Sequence, residues 1–362
     1  MPGRFCEEKP HASLRRNHRL AAMTRHLSTH DIRAAAHGCG FPLVGLAPAA
    51  PLDPAPLLNW LERGYGADLS AMRRRIQERL DPAAIVPNAK TVLVLGIPYG
   101  NDGDSEVPSP AIARYARGRD YHYAHRDRMR ALRSRLLALD PRLRTYACVD
   151  SGAAMEKAWA ERAGLGFIGK NALVINSNHG SWFTLSLMVL DRAVDAYDAP
   201  RPNLCGACTR CIDACPTRAF ASPGVVDARR CLSYHTVENR GVIPEEVRPM
   251  LGPRVFGCDV CQEVCPFNQG ALGAGDPRQA PRPLGRMTPA EIATLDEARF
   301  GELATGTPMR RIGFHGLRRS ACLSLGATRD HEARDLLRAL SHDANSLVSQ
   351  AAAWSLGRLD ES

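Results

Sequence analysis

The chain has 362 residues, a net charge of +9, 44% hydrophobic and 23% charged residues. That length supports two or three domains with buried cores, and the composition excludes a wholly disordered or collagen-like chain. No window holds 18 uncharged apolar residues, so no transmembrane helix is expected and the expected compartment is the cytoplasm.

Residues 1–28 read as a flexible, solvated tail: the first 27 carry six Lys or Arg and two Glu around no apolar stretch of signal-peptide length, and Met23 offers a later start. Ser28 or Thr29 is suited to cap a helix over Asp31–His37 that Gly38 ends; a turn-rich stretch and a second helix follow, to about residue 64. Thr91–Ile97 is a short β-branched apolar run bounded by Lys90 and Pro98, which predicts a buried strand. Arg119–Leu139 reads as a helix, and between Ala111 and Arg144 lie ten Arg and three Asp. A solvated face explains that run; so does a surface facing a polyanion, since Arg suits phosphate. In the whole chain Arg outnumbers Lys 43 to 4, a ratio that genomic base composition also produces.

Ala153–Ala163 is Ala- and Glu-rich and helical in pattern, and Ala172–Ile175 and Trp182–Leu190 read as strands around a turn at Asn176–Gly180. Together these segments predict an α/β or α+β domain over residues 29–195. Gly, Pro and Ala dominate residues 266–287, a linker, and Thr288-Pro-Ala-Glu291 matches a capping box with Pro at the first helical position. Ser320-Ala-Cys-Leu-Ser-Leu-Gly326 aligns with Ala351-Ala-Ala-Trp-Ser-Leu-Gly357 at an offset of 31 residues, which fits stacked helical pairs of the HEAT type forming a short cap or arm.

Eight of the twelve cysteines fall between Cys205 and Cys265. Clustered cysteines in a reducing compartment point to metal. Cys205-x2-Cys208-x2-Cys211-x3-Cys215-Pro216 has the bacterial ferredoxin spacing, in which three thiolates wrap one cubane and the fourth ligates a second. Cys258-x2-Cys261-x3-Cys265-Pro266 lacks its leading cysteine, Val255 standing there, and Cys231 fills the vacancy. The count closes at eight ligands for two [4Fe-4S] clusters: Cys205, Cys208, Cys211 and Cys265 for one, Cys215, Cys231, Cys258 and Cys261 for the other. Zinc also uses paired C-x2-C, but seldom with two Cys-Pro ends and crossed fourth ligands. Cys6, Cys39, Cys148 and Cys322 read as ordinary thiols.

Gly164-Leu-Gly166-Phe-Ile-Gly169-Lys170 imitates a nucleotide-binding loop, yet a helix precedes it and a strand follows, the reverse of the order in which helix N–H groups meet phosphate. Asp150, beyond the apolar pair Cys148-Val149, is a candidate proton donor at a strand end; a helix N-cap is its structural alternative. Lys157 and Lys170 are two of only four lysines, a weak hint of a site.

With these segments assembled, the chain resembles the epoxyqueuosine reductases, cobalamin-dependent iron–sulfur enzymes of tRNA queuosine synthesis. The resemblance covers about residues 29–270. Ala113-Arg-Tyr-Ala-Arg-Gly-Arg-Asp-Tyr-His122, Val149-Asp150, Glu161 to Asn171, Gly180-Ser-Trp182 and the two cysteine runs carry it. It implies an α+β organisation: a cobalamin-binding α/β domain over 29–195, a ferredoxin-like domain with two [4Fe-4S] clusters over 196–270, a linker over 271–290 and a HEAT-like region over 291–362. It implies base-off cobalamin, since the D-x-H-x-x-G signature is absent: Asp120-Tyr-His122 continues as Tyr123-Ala-His125. By position, Asp150 matches the family's proton donor, and Arg79, Ala113, Val174, Leu185, Ser233 and Asp259 match cofactor contacts, Asp150 being one of these too. Phe167 stands where Trp is common and Arg218 where Gly usually follows Cys-Pro-Thr. The implied partners are tRNA carrying epoxyqueuosine, bound in a salt-sensitive manner, and an external low-potential donor of the flavodoxin or ferredoxin type. A monomer is expected, with no membrane association. Asp150 is expected to be neutral when substrate binds, its pKa raised by a pocket that excludes water. The rival readings are a reductive dehalogenase, which would release halide and bind no tRNA, and a ferredoxin-like electron carrier, which would bind no corrin.

Overall fold

A computed structural model describes residues 27–99, 111–150, 152–269 and 280–361. The expected tail lies, apart from Leu27 and Ser28, outside the described residues. Ser28 accepts from the Asp31 N–H and caps a helix over Thr29–Gly38.

Four strands form the central sheet: β1 (Leu43–Pro48), β2 (Thr91–Pro98), β3 (Thr145–Cys148) and, beyond the two-stranded hairpin β4 (Phe167–Ile168) and β5 (Val174–Ile175), β6 (Phe183–Leu190). Their order is β1-β2-β6-β3, and every pairing is antiparallel. That decides α+β over α/β for residues 29–195. β1 corrects the expected turn-rich stretch. Gly45 interrupts its apolar run because a side chain there would collide with the Ala163 carbonyl and Leu165.

The sheet is covered on both faces, so β2 reads as an unbroken apolar run. Val92 and Val94 join Leu187, Val189, Trp159 and Ala160 on one face. Leu93 and Leu95 join Met188, Ile32, Met129, Leu132 and Leu136 on the other, beneath the Thr29–Gly38 helix and the Tyr121–Leu139 helix, which Asp120 caps. The predicted helix over Ala153–Ala163 is shorter, Glu156–Arg162.

The segment at residues 111–116 laces this layer to the cysteine region: the Ala113 N–H donates to the Phe256 carbonyl at 2.8 Å and the Val255 N–H to the Ala111 carbonyl at 2.7 Å. The C-terminal helices are not a free arm. Ile112, Val255 and Phe256 share one continuous core with Leu317, Leu323, Leu337, Val348 and Leu359. Of the linker expected over 271–290, residues 271–279 lie outside the described residues; Pro283–Arg286 is helical with Leu284 buried, and the Thr288 capping box forms as expected.

Both copies of the internal repeat are helical, in Phe314–Ala327 and Ser346–Asp360, and these two helices pack together. Equivalent serines do equivalent work. Ser355 donates to the Cys322 carbonyl at 2.8 Å, and Ser324, 31 positions earlier, donates to the Gly252 carbonyl at 2.9 Å. Arg319 is 1% exposed at the centre of the inner helix and donates to the carbonyls of His235, Asn239 and Gly241. Arg319→Met is expected to cost about 3 kcal/mol in urea unfolding, because it leaves those carbonyls buried without donors. A loss under about 1 kcal/mol would show that water replaces the guanidinium.

Candidate functional site

The glycines of Gly164–Lys170 serve packing. The order is helix, loop, strand, and a side chain at Gly166 would meet the Ile175 carbonyl. The loop delivers Lys170 and Asn171 to the cysteine region: the Lys170 N–H points at Cys205 Sγ at 3.5 Å, and Asn171 Nδ2 donates to the Cys261 carbonyl at 3.4 Å. The second cysteine run is fixed through Gln262, whose Oε1 accepts from the Tyr99 and Ser181 hydroxyls, and through Asn268, which donates to the Gln262 carbonyl. Arg218 has φ +49°, a left-handed conformation that explains why glycine would suit its place.

The eight cysteines fall into two groups. Cys205, Cys208, Cys211 and Cys265 line one cavity of about 220 Å³, together with Lys170, Arg210 and Phe267. The other four are electrostatic neighbours of one another, Cys215 acting on Cys231, Cys231 on Cys258, and Cys258 and Cys231 on Cys261, which also feels Cys211 of the first group. Burial pushes the Cys258 thiol up to about 11, the Val260 backbone N–H and Arg254 only partly opposing it, and the Cys261 thiol well up. Such thiols ionise only against a strong positive charge. Among the described residues no three His, Cys, Asp or Glu converge on a single ion, so the sulfurs frame a space rather than close on a point.

A cluster of charged side chains gathers around Asp150. Asp150 keeps 50% of its side chain accessible yet is surrounded by protein, as is a residue on the floor of a recess. His122 Nε2 lies 3.5 Å from Asp150 Oδ2, and His122 Nδ1 lies 2.6 Å from Asp120 Oδ1. Arg311, from the C-terminal region, reaches Asp150 at 3.9 Å and Glu238 at 2.6 Å. Burial pushes the Asp150 carboxyl up, but His122, Arg311 and the Tyr121 hydroxyl outweigh it and hold the group below its ordinary value. Burial likewise pulls His122 down, while Asp120 and Asp150 raise it to about 9. In the substrate-free site these neighbours favour an ionised Asp150 beside a protonated His122, whereas the expected neutral Asp150 concerns the substrate-bound site.

Glu156 and Lys157 line the same recess. Burial and the Asp150 charge raise Glu156 to about 7, and its Oε1 is buried without a hydrogen-bond partner among the described residues. Lys157, lowered by burial, senses Glu156, Asp150, Cys261 and Cys231, which joins Asp150 to the second thiol group.

Of the residues marked by resemblance, Arg79 donates to the Ala154 carbonyl at 3.4 Å and its charge reaches Glu156. Ser233 lies two residues past Cys231, in the helix Leu232–Val237, and its N–H bonds toward that thiol. Asp259 Oδ2 accepts from the Arg114 N–H at 2.7 Å, next to Ala113, and burial raises it to about 6. Val174 and Leu185 lie in the apolar layer with Ala154 and offer no polar group. Asp150 is no N-cap: the following helix starts at Glu156, and Asp150 has φ +52°. The two noted lysines flank one thiol group each. Sequence reasoning missed Arg311, Glu238 and the roles of Tyr121 and His122; only the latter two carried a signal, inside the Asp120-Tyr121-His122 motif.

Residues 204–268 match the family described as a 4Fe-4S double cluster binding domain, and residues 79–151 match the one described as epoxyqueuosine reductase QueG, DUF1730. An epoxyqueuosine reductase of Gloeobacter violaceus is 41% identical over 83% of this chain and 96% of its own length. One of Xanthomonas campestris is 38% identical over 84% and 88%. A solved epoxyqueuosine reductase bound to an epoxyqueuosine-modified tRNA-Tyr stem loop superposes with a TM-score of 0.85, at 29% identity, over 91% of this chain and 89% of that one. A Bacillus subtilis structure, with its catalytic aspartate loop swung out of the active site, gives a TM-score of 0.84 at 29% identity over 91% and 90%. The chain belongs to the epoxyqueuosine reductase family, with a mixed α/β architecture and a double [4Fe-4S] cluster region.

Proposed function

We propose that this oxidoreductase reduces epoxyqueuosine to queuosine in the anticodon loop of tRNA, the last step of queuosine synthesis, as a cytoplasmic monomer. Among the described residues no helix is long and apolar enough to cross a membrane. The single observation that carries the reading is the convergence on Asp150 of His122, held by Asp120 at 2.6 Å, and of Arg311 at 3.9 Å, in a chain whose cysteine region matches a double [4Fe-4S] domain. In this reading residues 29–195 bind base-off cobalamin, 196–270 hold the clusters, 271–290 link, and 291–362 form HEAT-like pairs. The paired repeat helices support the last assignment.

A large cofactor rich in amide donors suits this place: Asp150 is half accessible, and Glu156 offers an unused acceptor. Arg79, Ala113, Val174, Leu185, Ser233 and Asp259 would border it, with Asp150 facing the substrate side. His122 is committed to Asp120 and Asp150, which supports a cofactor bound without a histidine from that motif. Cys205, Cys208, Cys211 and Cys265 would hold one cluster and Cys215, Cys231, Cys258 and Cys261 the other. Bound cobalamin would supply a strongly reducing cobalt centre, and the clusters the single electrons that a flavodoxin- or ferredoxin-type donor provides.

The protein's own task is the proton. Turning the epoxide into an alkene consumes two electrons and two protons and releases the oxygen as water. The ring oxygen leaves as an alkoxide unless protonated. Asp150 is the candidate donor, but it is ionised in the substrate-free site. Transfer of one proton from His122 to Asp150 converts imidazolium and carboxylate into two neutral groups, without changing the net charge of the pair. A base splayed into the recess excludes water, which favours the neutral pair.

Because His122 is raised to about 9, it holds its proton below that pH and loses it above. Single-turnover kcat/KM is therefore expected to fall above about pH 9, and His122→Gln to lower the plateau about tenfold to a hundredfold and abolish that limb. An unchanged alkaline limb in the variant would assign it to another group. Anaerobic reconstitution with cobalamin, followed by mass analysis of nucleosides from tRNA bearing the epoxide, tests the whole reading. Release of halide from haloarenes, with no change in the tRNA, would favour the dehalogenase instead.

A further inference from the structure

The two thiol groups differ in their access to solvent. Cys231 and Cys261 adjoin the Asp150 recess through Lys157. Cys208, in the other group, is exposed. It sits in a stretch, residues 201–210, that is exposed throughout except at Cys205. Leu204 in that stretch is 54% exposed, more than any other large apolar side chain among the described residues. Arg210 is exposed and lines the cavity of the outer thiols; Lys170 lines it too and donates Nζ to the Gly206 carbonyl at 2.7 Å. The described lining of that cavity holds these two cations and no carboxylate. Arg210 also borders a neighbouring open hollow of about 600 Å³ with Val264 and Gln269. The acid there, Asp213, is engaged by the Thr209 hydroxyl at 2.6 Å.

We propose that the face formed by Leu204, Cys208, Arg210 and Lys170 is the docking surface for a small acidic one-electron carrier protein. The proposal rests on the reading that the eight cysteines hold two clusters. An apolar knob ringed by cations is the complement of an acidic protein whose redox centre lies near its surface. An RNA backbone would use the cations but has no use for an exposed leucine. The step is one electron from the reduced carrier to the outer cluster: the carrier is oxidised by one electron, the cluster is reduced by one, and no bond or proton moves. Cys208 at the surface shortens that path, and the inner group then faces the reaction.

The test uses reconstituted holoenzyme and purified bacterial flavodoxin in its hydroquinone form. Binding is read by titration calorimetry and cluster reduction by stopped-flow absorbance, each across a salt series. Arg210→Glu is expected to slow the second-order reduction about tenfold at low ionic strength and to flatten its salt dependence. Leu204→Ser is expected to weaken flavodoxin binding about fivefold with the salt slope kept. Dithionite, which needs no docking, should still reduce both variants fully and without that change in salt dependence, and their affinity for the tRNA stem loop should be unchanged. Flavodoxin binding and reduction like wild type in both variants would overturn the proposal. So would a parallel loss of stem-loop affinity, which would assign this face to RNA. Cluster absorbance reports the docking step even if dithionite-driven turnover of tRNA fails, so the two readings fail separately.

Discussion

Asp150→Asn is expected to lower turnover by about a hundredfold to ten-thousandfold while leaving iron content and corrin binding unchanged. The epoxide oxygen cannot leave as an alkoxide, and an amide cannot lend it a proton of suitable acidity. The backbone tolerates the change: Asp150 sits at φ +52°, and asparagine is among the few residues at ease there. The variant also removes a partner of His122. Burial lowers that imidazole and Asp120 and Asp150 lift it to about 9, so loss of the Asp150 charge should bring its pKa down. Titration of the His122 ring by NMR in the cobalamin-free variant checks this without reference to activity. Wild-type turnover in the asparagine variant would remove Asp150 from the proton path. An unmoved His122 would dissolve the pair on which the transfer depends.

The cysteine arithmetic was legible in the sequence because ligand spacing is local. Three thiols at fixed separations constrain one another before any tertiary structure exists, and the cavity lined by Cys205, Cys208, Cys211 and Cys265 brings that group together. The β2 and β6 runs were legible for a similar reason: both faces of the sheet are covered, so the strands are apolar throughout. β1 was not, since Pro42, Gly45 and Pro48 carry the signature of a turn. Its glycine answers to Ala163 and Leu165, more than a hundred residues away. The electrostatics of Asp150 were hidden for the same reason. Enclosure of the carboxyl was foreseeable, and taken alone it argues for a neutral acid. Arg311 arrives from the far end of the chain, in the 3₁₀ turn Pro308–Arg311, and with His122 favours the carboxylate in the substrate-free site. Between the expected cap and arm composition could not choose: Ala- and Leu-rich helices look alike whether they stack outward or share a core, and the core shared with Val255 and Phe256, with Arg319 and Ser324 bonded to carbonyls of the cysteine region, shows the latter.

Crossed ligation gives the second large effect. Cys215 belongs in sequence to the run that begins at Cys205, yet its charge acts on Cys231, whose other neighbours include Lys157. If Cys215 serves the inner cluster, Cys215→Ala removes about half of the iron and leaves the outer cluster intact. Electrons would then enter at the Leu204 face and stop, so turnover is expected to vanish although dithionite still bleaches the remaining cluster. Cys261→Ala should give the same residual paramagnetic spectrum after reduction, because it strips the same site. Cys211→Ala and Cys265→Ala should give the other spectrum, and they should match each other although their cysteines lie in different runs. The pairing of spectra is the discriminating quantity, since every one of these variants is expected to be inactive. A Cys215→Ala spectrum that matches Cys211→Ala would mean that each run holds its own cluster. Cys231 would then complete the second cluster with Cys258, Cys261 and Cys265, and the division into outer and inner ligands would follow the runs instead of crossing them.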